Sequence, residues 1–211
     1  MTADKTSPPE DGRSARAELR RKKRKAQMIE VATQVIAERG YANTSVSDVI
    51  KAAGVSRGTF YLYFESRDAL FDEIIGAFVA RLAATVNVID ADAANPLALL
   101  RENFRRVISL LASNRDLTKV LFREAVGLSA EVDARLNAFY DYLRRMVAGA
   151  LEKGVMRQLT RQVDDVIVAS AIVGMVREVI YSTIVVGDGE VDPDRITSAI
   201  IDFGMNGLRA V

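Results

Sequence analysis

From Met28 to Leu208 the apolar residues of this 211-residue chain recur at three- and four-residue spacing, and nowhere do they alternate over a strand's length. A period near 3.6 builds amphipathic helices and a period of two builds strands, so the chain is predicted to be all-α, with about nine helices. Met28, Ile29, Ala32, Val35 and Ile36 form one stripe on a first helix, which Gly40 ends. Ser45 and Asp48 fit a capping box opening a short helix whose Val46, Val49, Ile50 and Ala53 face inward and which Gly54 stops. Ser56 caps a third helix from 57 to about 64, with Phe60, Leu62 and Phe64 as its packing side. Two short helices joined by a glycine-containing turn make a helix-turn-helix.

The rest of the chain reads as longer helices. One is expected at 68–88, carrying Leu70, Phe71, Ile74, Ile75, Phe78, Leu82 and Val86. Asn95-Pro96 is a cap followed by proline at the first helical position, and it opens a helix with Leu99, Leu100, Phe104, Val107 and Ile108. Further helices are expected at 116–126, 130–153 and 163–186. Asp192-Pro193 repeats the cap-then-proline signal before a last helix with Ile196, Ile200, Phe203 and Leu208. The run 166–186 is long enough to span a bilayer, but Arg177 and Glu178 sit within it. Each charge there costs roughly 2.5 kcal/mol or more on insertion scales, so a buried helix of a soluble, cytoplasmic protein is expected.

Charge divides the chain. Residues 1–68 hold 13 Lys+Arg against 9 Asp+Glu, and the remainder holds 16 against 19. A basic front and an acidic rear suit a polyanion at one end. The front is expected to begin with a disordered tail and the start of a basic arm (1–19), followed by the helix-turn-helix domain (20–68) and a helical body (69–211). Within the front, 20–25 is an unbroken basic run that includes Lys25, able to lie along a nucleic-acid backbone or to enter a minor groove.

The chain has no cysteine, histidine or tryptophan. Disulfides and thiolate metal sites are thereby excluded, and the commonest general base and metal ligand are missing. No glycine-rich phosphate loop or nucleophile–base pair appears. No metal or cofactor site is expected. Asp188-x-Glu190-x-Asp192 has the opening spacing of a calcium loop but lacks the following glycine and terminal glutamate, and a solvated loop ending in a helix cap accounts for it. An enzyme is therefore an alternative without its usual residues.

The stretch from Ile29 to Leu70 resembles the TetR family of transcriptional regulators. The matching residues are Ala32, Glu38-Arg39-Gly40-Tyr41, Thr44-Ser45-Val46, Asp48-Val49-Ile50, Ala53-Gly54-Val55-Ser56, Arg57 through Phe64, and Ser66-Arg67-Asp68-Ala69-Leu70. Ile50 stands where the family usually has alanine, and Arg67 where it usually has lysine. Arginine keeps the charge and can pair bidentately with phosphate. The resemblance implies an N-terminal three-helix DNA-binding domain and a C-terminal domain that binds an effector and dimerises. It further implies a homodimer that acts as a ligand-responsive repressor on a palindromic duplex-DNA operator. An activator, or a regulator controlled by a protein partner, is the alternative within the same resemblance.

Residue roles follow by position. A recognition helix presents its N-terminal residues to base edges. Arg57 can reach guanine O6 and N7, Thr59 a base or a thymine methyl, and Gly58 lets the backbone approach. Tyr61 and Tyr63 are expected at phosphates, as their family counterparts are, with core packing as the alternative for each. Ser45 and Ser47 are expected to bind phosphate at a helix N-terminus, and Arg67 from the other flank.

In the body, Phe104, Phe122, Phe139, Tyr142, Met146, Met175 and Tyr181 are candidates to line a pocket for a small apolar or amphipathic effector, with plain core as the alternative for each. Arg123-Glu124 and Arg177-Glu178 are charges set into apolar runs, and one of each pair can turn inward to orient a ligand or outward to a salt bridge. The apolar helix at 163–186 must be covered on all sides. The resemblance implies that the last two helices pair with their copies, which assigns Ala171, Gly174, Phe203, Gly204 and Gly207 to the dimer contact.

Overall fold

The computed structural model describes residues 11–86, 95–127 and 129–208. Within them lie nine α-helices and no strand: α1 (Asp11–Arg39), α2 (Val46–Ala53), α3 (Arg57–Tyr61), α4 (Arg67–Thr85), α5 (Pro96–Ser113), α6 (Arg115–Glu124), α7 (Ala130–Met156), α8 (Asp165–Ile180) and α9 (Pro193–Leu208). A π-helical segment, Tyr181–Val186, continues α8. The chain forms two compact units that divide after Leu70, inside α4.

In the first unit, capping sets the helix boundaries. Ser45 and Asp48 form the reciprocal capping box of α2, and Gly54 ends that helix in the left-handed conformation at φ +62°, where a side chain would be strained. Ser56 caps α3 by accepting from the Thr59 amide at 3.1 Å. Met28, Ala32 and Ile36 of α1, Val49 and Ala53 of α2, and Phe60, Phe64 and Leu70 are buried together. Arg67 ties the turn between α1 and α2. It donates to the carbonyls of Tyr41 (3.3 Å) and Thr44 (3.0 Å), and its guanidinium lies 4.1 Å from the Tyr41 ring centre. The Tyr41 hydroxyl donates to Asp68. Ile50 is half-buried, so the bulk it adds over alanine is shared between core and solvent.

In the second unit α7 packs along α8, α5 against α9, and α6 against the π-helical segment. Phe71, Ile74, Ile75, Phe78 and Leu82 of α4 are buried, as are Ile108, Leu111, Val120, Val132 and Ile184. Thr118 is fully buried and donates to the carbonyls of Leu111 and Asn114, which satisfies its hydroxyl as burial demands. Arg115 donates to the carbonyls of Ile184 (3.0 Å), Gly189 (3.0 Å) and Gly187, and Arg123 to that of Val185 (2.9 Å). Cationic donors thus occupy carbonyls that the π-helical geometry and the helix end leave without an α-helical partner. A side chain at Gly187 would meet the Thr183 and Ser182 carbonyl oxygens at 2.9 and 3.0 Å, so only glycine closes that turn.

Four expectations are corrected. Helix α1 starts at Asp11, so 11–19 is helical and not a tail; alanines, leucine and arginines favour helix there, and Lys22 pairs with Glu18 at 2.8 Å. Residues 1–10 of the expected tail, and Val88 at the expected end of the fourth helix, lie outside the described residues. Helix α3 stops at Tyr61, and Leu62 beyond it is 72% exposed and not core. The expected helix at 163–186 divides into α8 and the π-helical segment.

That last helix is also not buried within the chain. Asp165–Val186 is 22 residues of mean hydropathy 1.6, long and apolar enough by length and composition to cross a membrane. Yet Val166 and Ile167 are 67% and 66% exposed. Its apolar character exceeds what the α7 contact covers.

Candidate nucleic-acid face, cavity and self-association surface

The turn 54–56 sets α3 against α2 and leaves the first turn of α3 outward. Arg57 and Gly58 are exposed. A Cβ at Gly58 would meet only Ser56 Oγ, at 3.9 Å, so nothing in the fold itself requires glycine there. The Thr59 hydroxyl shares a 2.8 Å hydrogen bond with Ser56 Oγ. Tyr61 is 47% exposed, set edge-on to Phe60 with ring centres 5.3 Å apart, and the Arg57 guanidinium lies 5.9 Å from its ring centre. Buried Phe60 therefore anchors the helix while Arg57 and Tyr61 share its outer side.

Ser45 and Ser47 are exposed at the start of α2. The Ser45 hydroxyl is engaged with Asp48, whose carboxyl is held below its ordinary range first by that side-chain hydrogen bond and then by the Ser45 amide. Tyr63 is half-buried, with the Arg21 guanidinium 5.9 Å from its ring centre; Lys25 is half-buried with its ammonium 5.6 Å from the Phe64 ring centre. Arg67, expected at a phosphate, donates through one guanidinium nitrogen to the Tyr41 and Thr44 carbonyls, so it also serves as a tie within the head. Exposed Leu62 was not anticipated, and Arg21 was anticipated only as part of the basic run 20–25. The spacing 21, 25, 28, 32, 36 carries the signal for Arg21, since it continues the buried stripe of α1 by two turns.

In the second unit a cavity of about 120 Å³ lies among α4, α5, α6, α7 and α8. Phe104, Phe122, Phe139 and Met146 line it as expected, with Leu82, Val86, Leu111, Leu136 and Val173. Tyr142 does not; it lines a separate surface hollow with Leu100 and Met205. Met175 lies in a groove between α8 and α9, and Tyr181 is 38% exposed with its ring 6.5 Å from that of Phe122. The three miss the cavity because each points off the α7- or α8-face that encloses it, a difference of helical phase that periodicity alone leaves open.

Three polar residues line the cavity as well: Asn103 and Tyr140, which were not anticipated, and Arg177, one of the charges weighed for an inward role. Arg177, four residues after Val173 and three before Ile180, shares their face, so of the Arg177-Glu178 pair the arginine borders the cavity while remaining exposed to solvent. Its guanidinium lies 5.8 Å from the Tyr140 ring centre. Burial raises the Tyr140 hydroxyl above its ordinary pKa, and Arg177 opposes that. Leu136, Tyr140, Val173 and Arg177 also border an outer cleft with Asn137, Arg144 and Ser170. The arrangement is an apolar chamber with a cation and a phenol at one wall. Of the other pair, Arg123 turns to the Val185 carbonyl.

Ala171, Gly204, Gly207 and Phe203 come together along the α8–α9 groove. Phe203 is 73% exposed, and Ala171, Gly174 and Gly207 are exposed as well. Asp192 caps α9 by accepting from the amides of Asp194 (2.9 Å) and Arg195 (3.1 Å). Among the described residues no three acidic side chains are grouped as a metal site would need.

Comparison with known proteins accords with this geometry. Residues 28–74 match the family model of bacterial regulatory proteins of the tetR family, and residues 93–208 match that of the tetracyclin repressor-like C-terminal domain. The fatty acid metabolism regulator protein of Bacillus subtilis (strain 168) is 29% identical over 187 residues, covering 86% of this chain and 94% of that protein. The fatty acid degradation regulator FadR from Bacillus halodurans superposes with a TM-score of 0.69 at 25% identity, over 89% of this chain and 97% of that one. AibR, solved in complex with isovaleryl coenzyme A and operator DNA, superposes with a TM-score of 0.70 at 23% identity, over 85% and 97%.

Proposed function

The chain belongs to the TetR family of bacterial transcriptional regulators, and on that premise we propose that it is a cytoplasmic, non-enzymatic repressor released from its operator by an acyl-type effector. The observation that carries the effector class is the apolar chamber with Arg177 and Tyr140 on one wall. An aliphatic chain fills the chamber, and a carbonyl or anionic group meets Arg177. An apolar cavity of about 150 Å³ holds benzene, so a chamber of about 120 Å³ suits a short or branched acyl group. The complex of AibR with isovaleryl coenzyme A and the fatty-acid role of the Bacillus subtilis relative support the same class.

DNA reading falls to the outward first turn of α3. Arg57 addresses a guanine edge, Thr59 the neighbouring base, and Tyr61 a phosphate, while Ser45 and Ser47 hold the backbone at the start of α2. That the protein has no steric use for the missing side chain of Gly58 supports close approach of DNA there. Two copies associate through α8 and α9 around Phe203, Gly204, Gly207 and Ala171, which covers the exposed apolar side of α8 and sets two recognition helices on a palindrome.

The effector shifts the dimer toward the state that binds DNA less well, and by reciprocity binds less well to the DNA-bound dimer. Genome-wide mapping of binding sites, followed by mobility shifts with an acyl coenzyme A series, tests the proposal. A palindromic motif and release by short acyl thioesters are expected. A motif without two-fold symmetry, or acyl thioesters that leave the complex intact, would overturn it, and reporter expression with and without the protein separates repression from activation.

A further inference from the structure

The part of the head that folds compactly, 28–70, carries four basic and five acidic residues. The preceding stretch of α1, 11–27, carries eight basic and two acidic. The surface that reads bases therefore has almost no net charge with which to hold a polyanion, and the charge lies on a helix running beyond the head's core. Helix α1 is 29 residues, about 43 Å long at ~1.5 Å per residue, and its buried residues begin only at Met28.

The charge on this extension is sorted by face. Arg21 and Lys25 lie over the rings of Tyr63 and Phe64, just past the end of α3, which places the extension beside the base-reading helix. Arg16, Arg20 and Lys23 follow at spacings of four and three residues on the outer face of α1, roughly 150° round the helix from Arg21 and Lys25, all exposed; Arg24, bonded to Gln27, adjoins the row. Glu18, the acidic residue in their midst, lies on the other flank and is paired with Lys22.

We propose that this helical extension is a second DNA-binding surface, in which Arg16, Arg20 and Lys23 follow the phosphate backbone of duplex flanking the segment read by α3. The inference rests on the DNA-binding function proposed above. A helix about 10–12 Å across does not fit a minor groove about 6 Å wide, so of the two modes open to the basic run the contact along phosphates is the one a helix can make. An anionic membrane is the less fitting polyanion, because a surface-lying helix needs an apolar face and Leu19 is the one exposed large apolar side chain on the extension. The consequence is a footprint longer than the operator and an affinity governed steeply by salt.

The test is fluorescence anisotropy of the full chain on a 40-bp duplex of scrambled sequence between 50 and 200 mM salt. Three proteins are compared: wild type, Arg16→Gln/Arg20→Gln/Lys23→Gln, and a charge-matched control, Lys119→Gln/Lys153→Gln/Arg195→Gln. Losing each phosphate contact lowers the slope of log affinity against log salt by about 0.9, hence by about 3 per protomer for the triple variant. Its affinity at 100 mM salt is expected to fall at least about 30-fold, with the control within twofold of wild type. Circular dichroism checks that α1 stays helical, and Arg16→Lys/Arg20→Lys, which keeps charge, should retain the slope. A triple variant with the wild-type slope, or a control that falls equally, overturns the inference while leaving DNA binding standing. So does loss confined to phosphatidylserine vesicles. A wild-type protein that binds neither this duplex nor its mapped sites takes down the proposed function as well.

Discussion

The head and the body reach closure by different routes. In the head, short helices are fixed by side chains a few residues away: Ser45 with Asp48, Ser56 with Thr59, Arg67 with the carbonyls of Tyr41 and Thr44. Its large apolar residues are consumed internally, Leu19, Tyr61 and Leu62 excepted. In the body, long helices leave Val166, Ile167 and Phe203 to solvent and enclose a cavity that the protein does not fill. A unit with saturated local contacts can present a rigid reading surface, whereas one with open apolar surface and unfilled volume is suited to acquire partners.

Substitutions can break that contrast, beginning with the largest effect. Phe60→Ala empties a fully buried site and should cost about 3–5 kcal/mol; two-transition thermal unfolding, in which the head melts early and the body is retained, is the expected record. A single joint transition at the lowered temperature would show that the units are not separately stabilised. Phe203→Glu should convert a dimer to a monomer in sedimentation and lower operator affinity by about 100-fold, since a protomer then contributes one recognition helix. An unchanged sedimentation coefficient would remove the α8–α9 surface from the assembly.

Two smaller effects sharpen the picture of the head. Ser45→Ala removes one half of the capping box and should cost about 1 kcal/mol, read as a shift in the denaturant midpoint at constant slope. The least is a pH effect. Burial, with the hydrogen bond to Asp68, pushes the Tyr41 hydroxyl up to about 12 from an ordinary value near 10. A raised pKa means that the folded head holds a proton the unfolded chain releases. The associated stability is whole below pH 10 and is lost as pH rises toward 12. Tyr41→Phe should lack that decline, and an identical alkaline profile in both proteins would contradict it.

How much of this was legible in the sequence depends on how locally each feature is determined. The α2 capping box, the Gly54 turn and the cap-proline starts of α5 and α9 involve neighbours in sequence, and they stand where the residues put them. The cavity was half legible: Phe104, Phe122, Phe139 and Met146 reach it, while Tyr142, Met175 and Tyr181 do not. Spacing places a residue on a stripe, but which stripe meets which neighbour depends on helix packing. For the same reason the residues left open whether Arg177 or Glu178 meets the cavity, and it is the packing beside Tyr140 that places Arg177 there. Leu62 misled because an apolar residue between two buried phenylalanines reads as core, although the helix ends one residue earlier.

The π-helical segment that finishes α8 has a consequence for how this chain tolerates changes in length. A π turn winds more residues than an α turn, so 181–186 holds a residue in surplus, stabilised by Arg115 and Arg123 from α6. Deleting one residue there would let the helix relax to α-helical winding, at the loss of those arginine contacts, without rotating Ala169 or Val173 out of phase. Deletion within α8 itself would turn every following side chain by about 100°. The segment thus acts as a slack link, the place along this helix where a residue can be lost while the wall around the cavity keeps its phase.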